Sequence, residues 1–344
     1  MPKIKCTVWD LDDTLWDGVL LEGDRASPRP AVVETIRELD RRGVLHAVAS
    51  RNVPELARSH LAEHGLADYF CALEIGWGAK SESVRRIAAA LNIGLDTIAF
   101  VDNDDLELAE VAAACPEVRA YPADLAAGLA SLPEFQPDHQ TAESRDRRSR
   151  YQAEQGRTAA RQEFPGTSAE FLASLDLVMT VLPATDDDLV RAHELTVRTN
   201  QLNTTGLTFD EDTLRKLTRS PGHEVLVARL ADRFGHYGTV GLAVTRLTAT
   251  DAELQLLLMS CRVMSRGVGT VLLHHVMDRA LRRNRRPLAW FAPTPVNRVM
   301  LVTLRFAGFE PLEERGDRML LGYAPGRPLP PPPPHVSLIT GGTS

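Results

Sequence analysis

Twice in the N-terminal part of this chain a short apolar run leads straight into clustered carboxylates. Residues 4–9 end in Asp10, Asp12, Asp13 and Asp17, and the run Thr97–Val101 ends in Asp102, Asp104 and Asp105. Acidic side chains cannot share the interior of a sheet with such runs, so they mark the points where buried strands emerge. Between them the pattern predicts a helix over 30–42, an apolar run Val44–Ala49 ending at Ser50, and helices over 53–64 and 81–91. Strand and helix alternating in this way predict a doubly wound parallel sheet, whose ligands lie beyond the carboxyl ends of the strands.

At 344 residues the chain exceeds what one core organises. The expected division is 1–131 for the first domain, 132–174 for a charged helical connection, 175–324 for a second mixed α/β domain, and 325–344 for a proline-rich tail expected to be disordered. A net charge of −7 argues against a nucleic-acid partner held by phosphate neutralisation. No apolar stretch is long enough for a bilayer span, so no membrane is expected. Cys6, Cys71, Cys115 and Cys261 show no CxxC or zinc spacing, which fits free thiols and a cytoplasmic location.

The run Val8-Trp9-Asp10-Leu11-Asp12-Asp13-Thr14 places two carboxylates two residues apart just past a strand. In extended backbone these project the same way. Their mutual repulsion calls for a hard cation, and Mg²⁺ with carboxylate and water ligands suits them. A carboxylate is also a competent nucleophile toward phosphorus, and its neighbour can protonate the leaving oxygen and then activate water. Ser50 can donate to a phosphoryl oxygen, Lys80 can neutralise charge in the transition state, and Asp102 or Asn103 can complete the metal shell. Thr14 and Asn52 stand beside these as candidate substrate-binding residues.

In order and type these residues resemble the four motifs of the haloacid dehalogenase superfamily. The resemblance implies a Rossmann-like domain with Asp10 as nucleophile, Asp12 as general acid/base with its main-chain carbonyl on Mg²⁺, and Asp102 or Asn103 as the remaining ligand. Only Trp16–Pro28 separates the nucleophile from the first helix, so at most a minimal cap is expected.

The second half has strands over 177–182, 224–231, 239–247, 253–259, 287–292 and 318–323, with a hairpin turn expected over 232–238. Between the strand ending at Met259 and a long helix lies Ser260-Cys261-Arg262-Val263-Met264-Ser265-Arg266-Gly267. Backbone amides at a helix start, with Arg262, Arg266 and Gly267, make an expected anion site. It is similar to the pyrophosphate loop of the GNAT acyltransferases, departing by one residue with Ser265 at a glycine position. Cys261 beside two arginines is an expected nucleophile. His236, in the expected turn, is a candidate base for it. Asn200, Asn203 and Asn297 are candidate substrate-binding residues.

A phosphatase-like half joined to an acyltransferase-like half with a cysteine before the loop resembles the FkbH family. Val8–Asp24, Trp77–Val101, Arg198–Thr205, Asp232–Gly241, Leu258–Val268 and Asn297–Phe309 carry the likeness. It implies that 1,3-bisphosphoglycerate is captured and dephosphorylated, and that its glyceryl group is loaded through Cys261 onto the phosphopantetheine of an acyl carrier protein for polyketide extender units or tetronates. The competing expectation is a Mg²⁺-dependent phosphatase fused to an acyl-CoA-dependent N-acyltransferase.

Overall fold

A computed structural model describes residues 2–136, 146–324 and 326–341. Pro137 and Glu143 of the expected connection, and Pro325 and residues 342–344 of the expected tail, lie outside the described residues. The chain divides into two compact units, Met1–Gly156 and Arg157–Ser344. Much of the expected connection is one helix, Arg147–Glu163.

The first unit is built on a parallel sheet of β1 (Cys6–Trp9), β4 (Leu45–Ser50), β5 (Phe70–Ile75), β6 (Ile98–Asp102) and β7 (Arg119–Pro122), in the order β5-β4-β1-β6-β7. Every residue of β1, β4 and β6 is buried. Helices cover both faces, which is why these strands read as continuous apolar runs rather than alternating ones. Ile36 and Leu39 of the helix Pro30–Arg41 and Leu61 of Pro54–Glu63 pack on one face with Trp9 and Val48. Val84, Ile87 and Leu91 of Lys80–Leu91 pack with Val8 and Phe100 on the other. The fold thereby sets β1 in the middle, its carboxyl end between those of β4 and β6. In place of a cap domain stands a small ladder, β2 (Trp16–Asp17) against β3 (Ser27–Pro28).

The second unit has one mixed sheet with the order β13-β14-β12-β11-β10-β9-β8-β15. Its strands are β8 (Leu177–Pro183), β9 (His223–Asp232), β10 (Gly235–Leu247), β11 (Asp251–Met259), β12 (Arg286–Phe291), β13 (Phe309–Arg315), β14 (Arg318–Tyr323) and β15 (Val336–Thr340). Alternate residues of β9 serve opposite cores. Leu226, Ala228 and Leu230 pack with the helix Val268–Arg282, while Val225 and Val227 pack with Leu189–Arg198 and Glu211–Arg219.

The structure departs from two expectations. The tail is not structureless: β15 pairs in parallel with β8, from Val336 opposite Leu177 to Thr340 opposite Val181. The prolines before it have no N–H for a ladder, but Val336-Ser337-Leu338-Ile339-Thr340 is a β-rich run and buries Val336. The hairpin is also tighter than expected, with only Arg233 and Phe234 between β9 and β10. Asp232 closes it by accepting the N–H groups of Phe234 and Gly235 at 2.9 and 3.1 Å. His236 therefore sits on β10, next to a bulge, and not in a turn.

Candidate functional site

At the carboxyl end of β1, Asp10 is 7% exposed. The Lys80 ammonium, at the start of its helix, reaches across the sheet. It donates to Asp10 Oδ1 at 2.5 Å, to Asp102 Oδ2 at 3.0 Å and to the Ala49 carbonyl at 2.8 Å. Asp12 is held differently. Its Oδ1 accepts from Trp16 Nε1 at 2.7 Å and the Leu20 N–H at 3.2 Å, and its Oδ2 accepts from Asn52 Nδ2 at 3.1 Å. Ser50, buried, ends β4. Thr14 donates to Asn103 Oδ1 at 3.3 Å, and the Asp104 N–H donates to Asp102 Oδ1 at 3.0 Å. The fold therefore gathers Asp10, Asp12, Ser50, Asn52, Lys80, Asp102, Asn103 and Thr14 at neighbouring strand ends. Trp16, which orients Asp12, was not a sequence candidate; its only signal is its place four residues beyond that carboxylate.

Burial pushes the Asp10 carboxyl up, Lys80 pulls it down, and the Asp102 and Asp12 charges add to the rise, leaving it at about 7. Burial alone would lower the Lys80 ammonium, but the Asp10 and Asp102 charges outweigh it and hold it above the usual lysine range. The buried Asp10 and Asp102 and the half-buried Asp12 against one ammonium leave an excess of negative charge, which a divalent cation would offset. Among the described residues no three His, Cys, Asp or Glu side chains form a ready cage. The ion would therefore rest on Asp10 and Asp102 with neutral oxygens, the Asp12 carbonyl and Asn103, and with water. Mg²⁺ accepts such a donor set.

In the second unit β11 and β12 pair only from Asp251 opposite Arg286 to Leu254 opposite Ala289, and then part. The freed edge of β11 is taken by Leu202–Thr205. The Met259 N–H donates to Leu202 O at 2.9 Å, the Thr204 N–H to Leu257 O at 3.0 Å, and the Leu257 N–H to Thr204 Oγ1 at 2.9 Å. Asn203 Oδ1 accepts the Thr205 and Gly206 N–H groups. Asn297 Nδ2 donates to Asn203 O at 3.0 Å and to Ala292 O at 2.9 Å. Both amides are buried and engaged with backbone, the turn role that Asx side chains commonly fill. Asn200 is exposed.

Cys261 is exposed, whereas Cys6, Cys71 and Cys115 are buried. It opens a 3₁₀ turn, Cys261–Val263, immediately after Ser260, whose N–H donates to Val240 O at 2.6 Å. Its thiol has no hydrogen-bond partner among the described residues. The long helix starts only at Val268, so Cys261 stands apart from that helix terminus. The glycine at the cap is Gly267, at φ 76°, and Ser265 is also left-handed at φ 66°. Arg262 is exposed, and its Nε donates to Ser260 Oγ at 3.4 Å. Arg266 donates to Arg262 O at 2.7 Å and lies 5.1 Å from the Tyr237 ring centroid. The tail lies on this loop. His335 Nε2 donates to Arg266 O at 2.9 Å, and a Cβ at Gly267 would meet Pro333 at 3.0 Å. His236, exposed, stands four residues before Val240, about 13 Å along β10. Among the described residues no hydrogen bond joins it to Cys261.

No family model matches this sequence, and no curated protein matches it. Solved structures resemble it in two kinds. One is the N-terminal part of a Bacteroides fragilis protein containing a phosphatase domain, complexed with Mg; it is 27% identical, with 39% of this chain and 40% of that one covered, at a TM-score of 0.34. The other kind includes the ribosomal-protein-S18-alanine N-acetyltransferase of Escherichia coli, 15% identical over 42% of this chain and 92% of that one, at a TM-score of 0.34. It also includes the GNAT domain of S. lividans PAT, 19% identical over 42% and 88%, at 0.33. This chain thus spans about two-fifths of the phosphatase-domain protein's length. The architecture is a parallel α/β domain followed by a mixed α/β domain. Among the described residues no helix is long and apolar enough to cross a membrane.

Proposed function

We propose that this chain is a two-site enzyme that removes a phosphate at Asp10 and transfers an acyl group through Cys261. The observation that carries the first part is the single Lys80 ammonium shared by Asp10 and Asp102, beside an Asp12 carboxylate held by Trp16, Leu20 and Asn52. Asp10 attacks phosphorus, and the ester oxygen leaves with a proton from Asp12. Asp12 then takes a proton from water, which attacks the phosphoaspartate and releases phosphate. Lys80 balances the charge that gathers on the phosphoryl oxygens. Bound Mg²⁺ would supply further neutralisation there.

The substrate we assign is 1,3-bisphosphoglycerate, and the acceptor is the phosphopantetheine thiol of an acyl carrier protein. The Cys261 thiolate attacks the acyl carbon and the acyl phosphate departs, giving a glyceryl thioester that still carries its phosphate monoester. The carrier thiol then displaces it, its proton passing to Cys261. The remaining phosphate monoester is the substrate of the Asp10 site. The exposed thiol of Cys261 supports this reading. So does the tail over Arg266 and Gly267, which lies where the diphosphate of coenzyme A would be expected in a GNAT-like loop.

The test is intact-mass spectrometry of a phosphopantetheinylated carrier protein incubated with enzyme, Mg²⁺ and 1,3-bisphosphoglycerate. A glyceryl adduct is expected with the natural chain, none with Cys261→Ala, and a phosphoglyceryl adduct or none with Asp10→Asn. No adduct on any of several carriers, with acyl-CoA consumed when an amine is supplied, would replace this reading by a fused N-acyltransferase.

A further inference from the structure

The helix Arg298–Phe306 of the second unit is apolar on two sides, and only one of them is used by the fold. Met300 and Leu304 pack into the core of that unit. On the other side Val299, Val302 and Phe306 recur at the three- and four-residue spacing that lines up one stripe, and all are exposed, Phe306 at 81%. Single exposed apolar side chains are ordinary, but a continuous stripe marks a contact surface. Arg298 and Arg305, both exposed, stand seven residues apart, two turns or about 10 Å, along one edge of the stripe. Neither side chain has an ion-pair or hydrogen-bond partner among the described residues. Between Phe291 and Glu310 the sequence holds no Asp or Glu, although the whole chain carries a net charge of −7. The helix is also tied to the segment that ends at Cys261. Asn297, which precedes it, donates to Asn203 O, and Asn203 bridges to Leu258 on β11. Cys261 follows Leu258 by three residues, about 10 Å of extended chain.

We propose that the stripe Val299, Val302 and Phe306, edged by Arg298 and Arg305, is the surface on which the protein that brings the acceptor thiol docks. The face it takes is an amphipathic helix with two carboxylates about two turns apart beside its apolar residues. Phe306 and the valines bury against that apolar side, and the two free guanidiniums meet the carboxylates at the rim. A second copy of this chain is a poor occupant, because it would add its own arginines to these and like charges would oppose the contact. The inference rests on the acyl-transfer reading of Cys261 and deepens it. It says where on this chain the partner is recognised and which charge pattern the partner must carry, so that a thiol on an acidic helical protein is preferred to the same thiol free in solution.

The experiment titrates the full chain calorimetrically with several acyl carrier proteins lacking the phosphopantetheine arm. In parallel it follows glyceryl transfer from 1,3-bisphosphoglycerate to the armed carriers and to free pantetheine, which needs no protein surface. Val302→Ser with Phe306→Ser, both outside the core, should weaken carrier binding at least about tenfold. Arg298→Glu with Arg305→Glu should weaken it by at least about as much, and the binding of the natural chain should fall as salt is raised. Both double variants should leave transfer to pantetheine unchanged. Binding that neither pair of substitutions alters, no binding of any carrier, or equal losses toward carrier and pantetheine overturns the proposal. So does a dimer of the natural chain, read by sedimentation, that Phe306→Ser dissociates. The acyl-transfer reading fails separately, when the carriers bind and the variants weaken that binding but neither carrier nor pantetheine receives a glyceryl group.

Discussion

Lys80 is the residue on which the first unit's interior charge depends. Two carboxylates reach its ammonium, at 2.5 and 3.0 Å, and both it and Asp102 are almost wholly buried. Removing one member of such a cluster leaves the others buried and uncompensated, a loss of about 3–5 kcal/mol. Lys80→Met should therefore lower stability by about that amount and abolish phosphate release, as read by urea denaturation and a phosphatase assay. The loss should be smaller in an Asp10→Asn background, where one of the stranded charges is already gone. A near-neutral Lys80→Met would mean that water reaches the cluster. Asp10 and Asp102 were legible in the sequence because each stands at a strand end, where a polar side chain interrupts an apolar run, and Lys80 because it opens the helix that follows β5. Trp16 was not, since an indole four residues past a carboxylate reads as a core residue and only the fold turns its Nε1 onto Asp12.

At the scale of elements, the β9–β10 turn shows how a carboxylate can look like loop material and yet organise a fold. Asp232 takes Arg157 in a two-point ion pair at 2.7 and 3.0 Å, accepts Tyr237 Oη at 2.7 Å, and closes the turn through two N–H groups. The Arg157 guanidinium lies 3.8 Å from the Tyr237 ring centroid. Burial pushes the Asp232 carboxyl up, but the hydrogen bonds from Arg157 and Tyr237 and the Arg157 charge hold it below the ordinary carboxylate range. A depressed value means that the folded state binds its proton less readily than the unfolded chain. The stability Asp232 contributes is then complete above the unfolded value of about 3.9 and is lost as pH falls through the lower folded one. Asp232→Asn should cost about 3 kcal/mol at pH 7, and its deficit should shrink steadily below about pH 4. Denaturation curves at several pH values would check this, and a deficit independent of pH would contradict it. The sequence pattern made this turn too wide because Arg233 and Gly235 read as loop residues. The Asp232 contacts that pin the strands are not visible in periodicity.

The whole molecule holds separate cores, one pair around the parallel sheet and another around the mixed sheet. A ligand of one unit should then stabilise that unit by mass action, about 2.7 kcal/mol at a hundredfold excess over its dissociation constant. Calorimetry with and without Mg²⁺ should show two transitions, only one of them shifted, and Asp10→Asn should suppress the shift. A single transition that moves as a whole would show the units unfolding as one. The alternation of strand and helix made the first sheet legible in the sequence. The second was legible in outline, but β13 and β15 escaped, because edge strands are mostly exposed and lack an apolar rhythm. β15 has a consequence of another kind. By lying along β8 it moves the sheet's open margin from a seven-residue strand that buries Leu177, Met179 and Val181 to a shorter strand of five residues that is exposed beyond Val336. Proteolytic trimming ahead of Val336, or a fusion partner that pulls this strand away, would bare the β8 margin, and copies so trimmed should join edge to edge more readily than the intact chain.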